Sequence, residues 1–225
     1  MDVRVISIGA LAEHPLRDKR RKARTGHATT TLIRTADAAI LVDPGLPPAA
    51  VVARLDERAG LEPADITHVF LTSFKADTCR GIRAFENAEW LIGERERESL
   101  GVPLAKLLRD AGDADEETKR ELEYQVALLK ECKPAPDSIA RGVDLFPLPG
   151  VTPGLCGLLA SEPSRTTVVC GDAIPTVEHL EQAQVPKNSF DAKLAMESFK
   201  EAVEIADVLI LGRDNLVLNQ GRGMV

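Results

Sequence analysis

The sequence predicts an α/β fold in which two β-sheets pack together with helices on their outer faces. Three observations predict it. Both halves of the chain alternate short β-type apolar runs with amphipathic helical stretches, the pattern of layered sheet-and-helix architectures. The 225 residues are 44% apolar, which suits one domain, 1–225, with a substantial core. Between the halves, over about 94–141, helical spacing takes over, so a helical hairpin is inserted between strands.

The elements follow in order. Residues 3–8 open as a strand, and residues 9–27 are polar, basic and irregular, so they read as a loop. Thr29 to Arg34 and Ala38 to Asp43 form an antiparallel pair. Asp43-Pro44-Gly45 turns the chain. Pro47 and Pro48 start a helix and Gly60 ends it, with Val51, Val52, Leu55 and Ala59 on its apolar face. Ile66 to Leu71 is a strand, Thr72 to Gly81 a polar loop, and Trp90 to Ile92 another strand. In the insert, Leu104, Leu107, Leu108 and Ala111 repeat at helical spacing. Asp113 or Asp115 caps a second helix with Glu116 and Glu117 in its first turn, and Leu122, Val126 and Leu129 form its stripe. Pro134 and Pro136 stop it. Strand signals return at Leu145 to Leu148, Leu155 to Ala160 and Thr166 to Cys170. Ser189 or Asp191 starts a last helix, with Ala192, Ala195, Met196, Phe199, Val203 and Ala206 on one face. Val208 to Leu211 closes the chain.

Charge narrows the function classes. The net charge of −7 argues against wrapping nucleic acid, and the basic run Arg17 to Arg24 is too short to reverse that. No apolar stretch spans a bilayer, the acidic exterior argues against membrane association, and residues 1–12 lack the pattern of a secretory signal. A cytoplasmic location is the expectation. Cys79, Cys132, Cys156 and Cys170 show no CxxC pair, so they read as free thiols.

Five segments, in order, carry a family pattern. They are Ile40-Leu41-Val42-Asp43-Pro44-Gly45, Thr67 to Thr72, Pro149 to Leu155, Gly171-Asp172-Ala173, and Ala206 to Asp214. They resemble the strand-and-loop motifs of the metallo-β-lactamase superfamily, whose fold is an αββα four-layer sandwich. The resemblance runs from about residue 3 to 215. It implies a dinuclear metal site at seven ligand positions, occupied here by Ser73, Lys75, Asp77, Thr78, Val151, Asp172 and Arg213. Only the two aspartates match. Zinc takes imidazole, thiolate or carboxylate. Hydroxyls are poor ligands, valine offers no donor, and two positions are cationic. The sequence therefore predicts no cofactor, the ancestral zinc site being degenerate. In its place it predicts a self-neutralised pocket in which Lys75 and Arg213 pair with Asp77 and Asp172.

Alternative readings weigh against some of these residues. Asp77 and Asp172 also suit loop capping through backbone N–H groups. Asp43 reads as a turn residue and His68 as a packed strand residue. His14, His27 and His179 are scattered, although His27 could approach the pocket mouth. Cys79 lies four residues after Lys75 but has no nearby histidine to act as its base.

Three functions fit. The first is a pseudoenzyme that uses the old cleft as a scaffold or for a small ligand. The second is a residual hydrolase of an ester, lactone, thioester or phosphoester, in which Asp77, Asp172 and Lys75 are the catalytic candidates. The third is an anion-binding module in which Lys75 and Arg213 receive a small anion. A homodimer contact through the insert is a further expectation, because the resemblance puts substrate-facing or dimer-forming elements there.

Overall fold

Backbone pairing sorts the strands into two sheets in the computed structural model, which describes residues 1–16, 25–110 and 116–219. The first sheet has the order β1-β2-β3-β4-β5-β6, formed by Asp2–Ser7, Thr30–Arg34, Ala39–Val42, His68–Leu71, Glu89–Ile92 and Lys133–Pro134. β1, β2 and β3 are antiparallel, and β3 to β6 are parallel. The second sheet has the order β12-β11-β10-β9-β8-β7, from Leu216–Leu218, Val208–Ile210, Arg165–Val169, Cys156–Glu162, Val143–Pro147 and Ser138–Ala140. Only β10 and β11 pair in parallel there.

Alternate residues point to opposite faces of a strand, and the core divides accordingly. Ile40, Val42 and Phe70 face the second sheet and meet Val143, Leu158, Val169 and Ile210. Their neighbours Leu41, Val69 and Leu71 face outward onto Val51 and Leu55 of α1 (Pro48–Ala59) and onto the insert. On the far side, Val168 and Leu209 pack against Ala195, Phe199 and Ala202 of the long C-terminal helix. The layers are helix, sheet, sheet, helix, the αββα sandwich that the sequence predicts.

Helix ends follow sequence rules. α1 begins at a proline and stops at Gly60, which adopts φ 61°. The first-sheet loops also carry a short helix, α2 (Ala76–Cys79), and the insert supplies α3 (Glu94–Asp110) and α4 (Glu116–Glu131). α5 (Val177–Glu181) precedes α6 (Ala192–Ile205), whose first turn is capped by the Asp191 side chain accepting from Lys193 and Leu194 N–H. The structure differs from the sequence reading at the end of the insert. Its helices stop at Glu131, and residues 133–140 supply an edge strand to each sheet. The basic run Arg17 to Arg24, the stripe residue Ala111 and the cap candidates Asp113 and Asp115 lie outside the described residues. Among the described residues, no helix is long and apolar enough to cross a membrane.

Candidate functional site

The loops that leave the carboxyl ends of β3, β4, β8, β10 and β11 converge, the usual place for ligand sites in α/β sheets. Two glycines allow the close approach. A Cβ on Gly45 would lie 2.2 Å from the Asp77 carbonyl oxygen, and one on Gly212 would lie 2.3 Å from the Gly171 carbonyl oxygen. Asp77 and Arg213 are delivered by these contacts.

Four of the seven ligand-position residues form one ion cluster. Lys75 Nζ lies 2.7 Å from Asp172 Oδ2. Arg213 forks onto Asp172, with Nε donating to Oδ1 at 2.7 Å and Nη2 donating to Oδ2 at 2.9 Å. The same guanidinium bonds Asp77, through Nη1 to Oδ2 and through Nη2 to Oδ1 at 3.2 Å. Arg213 is the bridge, using the two-pronged geometry that lysine lacks. Burial alone would raise the Asp172 carboxyl, but Arg213 and Lys75 outweigh it and hold the group far below the carboxylate range. Burial likewise opposes charge on Arg213, and the two carboxylates overcome it and raise that group. The cluster is graded in exposure. The Arg213 and Asp172 side chains are 3% and 9% exposed, whereas Asp77 and Lys75 are 33% and 36%.

The other three residues take no part in the ion pairing. Ser73 is fully buried and its Oγ has no hydrogen-bond partner among the described residues. The Thr78 hydroxyl donates to the Ser73 and Lys75 carbonyls, which ties the loop. Val151 packs into the apolar layer under α6.

Neighbouring candidates resolve by environment. Cys79 Sγ donates to the Lys75 carbonyl at 3.1 Å, and burial pushes its thiol up to about 12, so it is no thiolate nucleophile. His27 Nε2 bonds the Ile8 carbonyl at 3.1 Å. His68 is half-buried beside Thr67. His14 Nε2 lies 3.1 Å from both Thr176 Oγ1 and Glu178 Oε2, and His179 Nδ1 lies 2.9 Å from the same threonine hydroxyl. Burial and the facing His14 lower the His179 group.

Two further residues tie the loops of the site, one read from the sequence only as a turn residue and one not singled out there. Asp43, read as a turn residue, is buried at φ 48° and accepts from Thr72 N at 2.9 Å and Thr72 Oγ1 at 2.6 Å. Burial, partly offset by those bonds and by Arg213, raises its carboxyl to about 7. Glu96 is buried and accepts from Phe74 N, Thr152 Oγ1 and Gly154 N at 3.2, 2.6 and 3.1 Å. The family-like motif around Asp43 gave a signal for the first. The second had none, because its partners lie 22 to 58 residues away in sequence.

Comparison with known proteins places this geometry. The chain is 26% identical, over 226 residues, to an N-acyl homoserine lactonase of a Bacillus species, covering 85% of this chain and 82% of the relative. A Bacillus cereus N-acyl homoserine lactonase is 25% identical over 209 residues, covering 77% and 74%. Among solved structures, AidC, a dizinc quorum-quenching lactonase, matches with a TM-score of 0.66 at 19% identity, covering 85% of this chain and 74% of that one. A point mutant of AiiA from Bacillus thuringiensis, with N-decanoyl-L-homoserine bound at its active site, gives 0.64 at 22%, covering 94% and 92%.

These relatives correct one expectation. The sequence predicts no cofactor, but AidC is a dizinc enzyme and the curated relatives are lactonases, which points to zinc. The seven ligand-position side chains themselves do not fit a zinc pair. Ammonium and guanidinium groups already hold the oxygens of Asp172 and Asp77, and the Ser73 and Thr78 hydroxyls are weak donors. Among the described residues, no group of three or more His, Cys, Asp or Glu could hold a metal ion. These seven side chains thus form an ion cluster on a framework shared with the family. The model of the metallo-β-lactamase superfamily matches residues 23–210, and the chain belongs to that superfamily.

Proposed function

We propose that the chain acts in the hydrolase class of its superfamily, on a small ester or lactone taken up over Lys75 and Asp77. The observation that carries this reading is the graded exposure of the ion cluster. Asp172 and Arg213 form a buried base, while Lys75 and Asp77 reach solvent. The lactonase activity of the curated relatives supports the substrate class. The Lys75 ammonium would stabilise negative charge on the carbonyl oxygen as water adds to the carbonyl carbon. Asp77 would accept the water proton and return it to the departing alkoxide. Arg213 orients Asp77, and Asp172 orients Lys75. Zinc uptake would require other donors, or release of Lys75 and Arg213 from their carboxylates, so no step is assigned to it.

The test is turnover of a lactone and ester panel by the wild type, Asp77→Asn and Lys75→Ala, with zinc content measured on the same samples. Loss of about 100-fold or more in Asp77→Asn, the scale of general base catalysis, supports the reading. A wild type inert across the panel, with or without added zinc, sinks it.

One observation favours a second reading, a small-anion-binding or scaffold protein without turnover. Both oxygens of Asp172 are engaged by cations, and Asp77 is held by Arg213. A melting temperature raised by acetate, citrate or phosphate, and abolished in Lys75→Ala, would support it. The absence of any response would remove the anion.

A further inference from the structure

Among the described residues, three of the eight large apolar side chains that stand exposed lie on the α3–α4 hairpin: Val102 (76%), Leu107 and Tyr124. Along α3, one solvent-facing stripe reads Glu98, Val102, Ala105, Arg109, all exposed. Its spacings of 4, 3 and 4 residues are those of a helix–helix seam.

We propose that α3 is the two-fold contact of a homodimer, packed antiparallel against α3 of a second copy. The stripe is self-complementary about its midpoint. Antiparallel pairing sets Glu98 opposite Arg109 and Val102 opposite Ala105, each contact occurring twice, as an isologous interface requires. Within one chain the acid and the base cannot meet. They stand eleven residues apart, about 16 Å along the helix, and neither has an ion pair among the described residues. A second copy brings each charge its partner, and antiparallel helix dipoles add a further small attraction.

The stripe also borders a groove of about 340 Å³ between the helices, with Leu104, Val126 and Leu129 among its lining residues. The small residues Gly101 and Ala105 on the α3 side of this groove let a second helix approach closely. Nothing lies within 4 Å of a Cβ built on Gly101. The partner's Val102 enters this groove and buries the apolar face that one chain leaves in water.

The experiment is sedimentation equilibrium of the full chain up to about 100 µM, where association of modest affinity is populated. A dimer is expected. Val102→Asp should be monomeric yet folded, because the residue is exposed in the single chain, and its melting temperature should no longer depend on protein concentration. Glu98→Arg and Arg109→Glu should each weaken the dimer by about tenfold or more, since each sets like charges together twice. The double variant Glu98→Arg/Arg109→Glu should restore it. A wild type monomeric throughout overturns the proposal, as does a dimer indifferent to Val102→Asp or a double variant that fails to recover.

Discussion

Arg213 makes four charge-assisted bonds to two carboxylates from a side chain 3% exposed. A buried ion pair need not stabilise a fold, but breaking one strands a charge at a cost of about 3–5 kcal/mol. Arg213→Ala and Asp172→Ala should therefore each destabilise strongly, and the double variant should be milder than the sum of the two. Urea unfolding of all three decides it, and simple additivity would refute the coupling. Asp43 gives a separate pH signature. Its folded value, about 7, lies above the ordinary 3.8. The stability it contributes is complete below pH 3.8 and is lost as pH rises through 7, a span of three units or about 4 kcal/mol at most. Asp172 is shifted the opposite way, so its contribution is lost only below pH 3.8 and does not blunt the Asp43 slope. The buried His179 group is lowered from 6.5 and opposes this trend below that pH, so the contrast between wild type and Asp43→Asn decides. From pH 5 to pH 8 the melting temperature should fall more, or rise less, in the wild type than in Asp43→Asn. An unchanged slope in the variant would assign it to other groups.

Glu96 works at the scale of elements. It sits in the first turn of α3 and its carboxylate holds the loop after β4 through Phe74 N and the loop after β8 through Gly154 N. Glu96→Ala would leave the buried Gly154 amide without an acceptor, at about 1–3 kcal/mol, and the half-buried Phe74 amide at a smaller cost. Hydrogen exchange at those two amides should accelerate, while exchange in β9 and β10 stays unchanged. Glu96→Gln keeps an acceptor and should recover part of the protection. Equal exchange in all three proteins would show that the loops hold without it. The same contrast explains what was legible in the sequence. β2, β3, β4 and α6 were readable because continuous β-type apolar runs or 3.6-residue apolar patterns run through them, as in Ile40, Leu41 and Val42 or in Ala195, Phe199 and Ala202. β6, β7 and β12 span two or three residues, too few for a period to emerge, and Pro134 reads as a stop although it lies on an edge strand, where proline is tolerated. Ion pairing of Arg213 with both aspartates was readable because the flanking motifs fix the register. The Glu96 tie was not, since only the folded chain brings its partners together.

At the scale of the whole molecule, a framework with the family pattern carries an ion cluster in its cleft. Five segments keep the family pattern, the superfamily model matches residues 23–210, and the sheets deliver their loops to one place. Yet ammonium and guanidinium groups occupy the centre of the cluster. If the backbone has kept its positions, the family's donor set should be recoverable by side-chain changes alone. Replacing Ser73, Lys75, Thr78, Val151 and Arg213 together by histidine would place five imidazoles around Asp77 and Asp172. Without metal this variant should melt lower than the wild type, because two carboxylates lose their cations. Zinc bound only by the folded form should then raise its melting temperature progressively with concentration, and by more than it raises that of the wild type. Two zinc ions per chain by elemental analysis would show that only side chains separate the two sites. A variant that folds but melts independently of zinc would show that the loops themselves have moved, and that the divergence of this cleft reaches into its backbone.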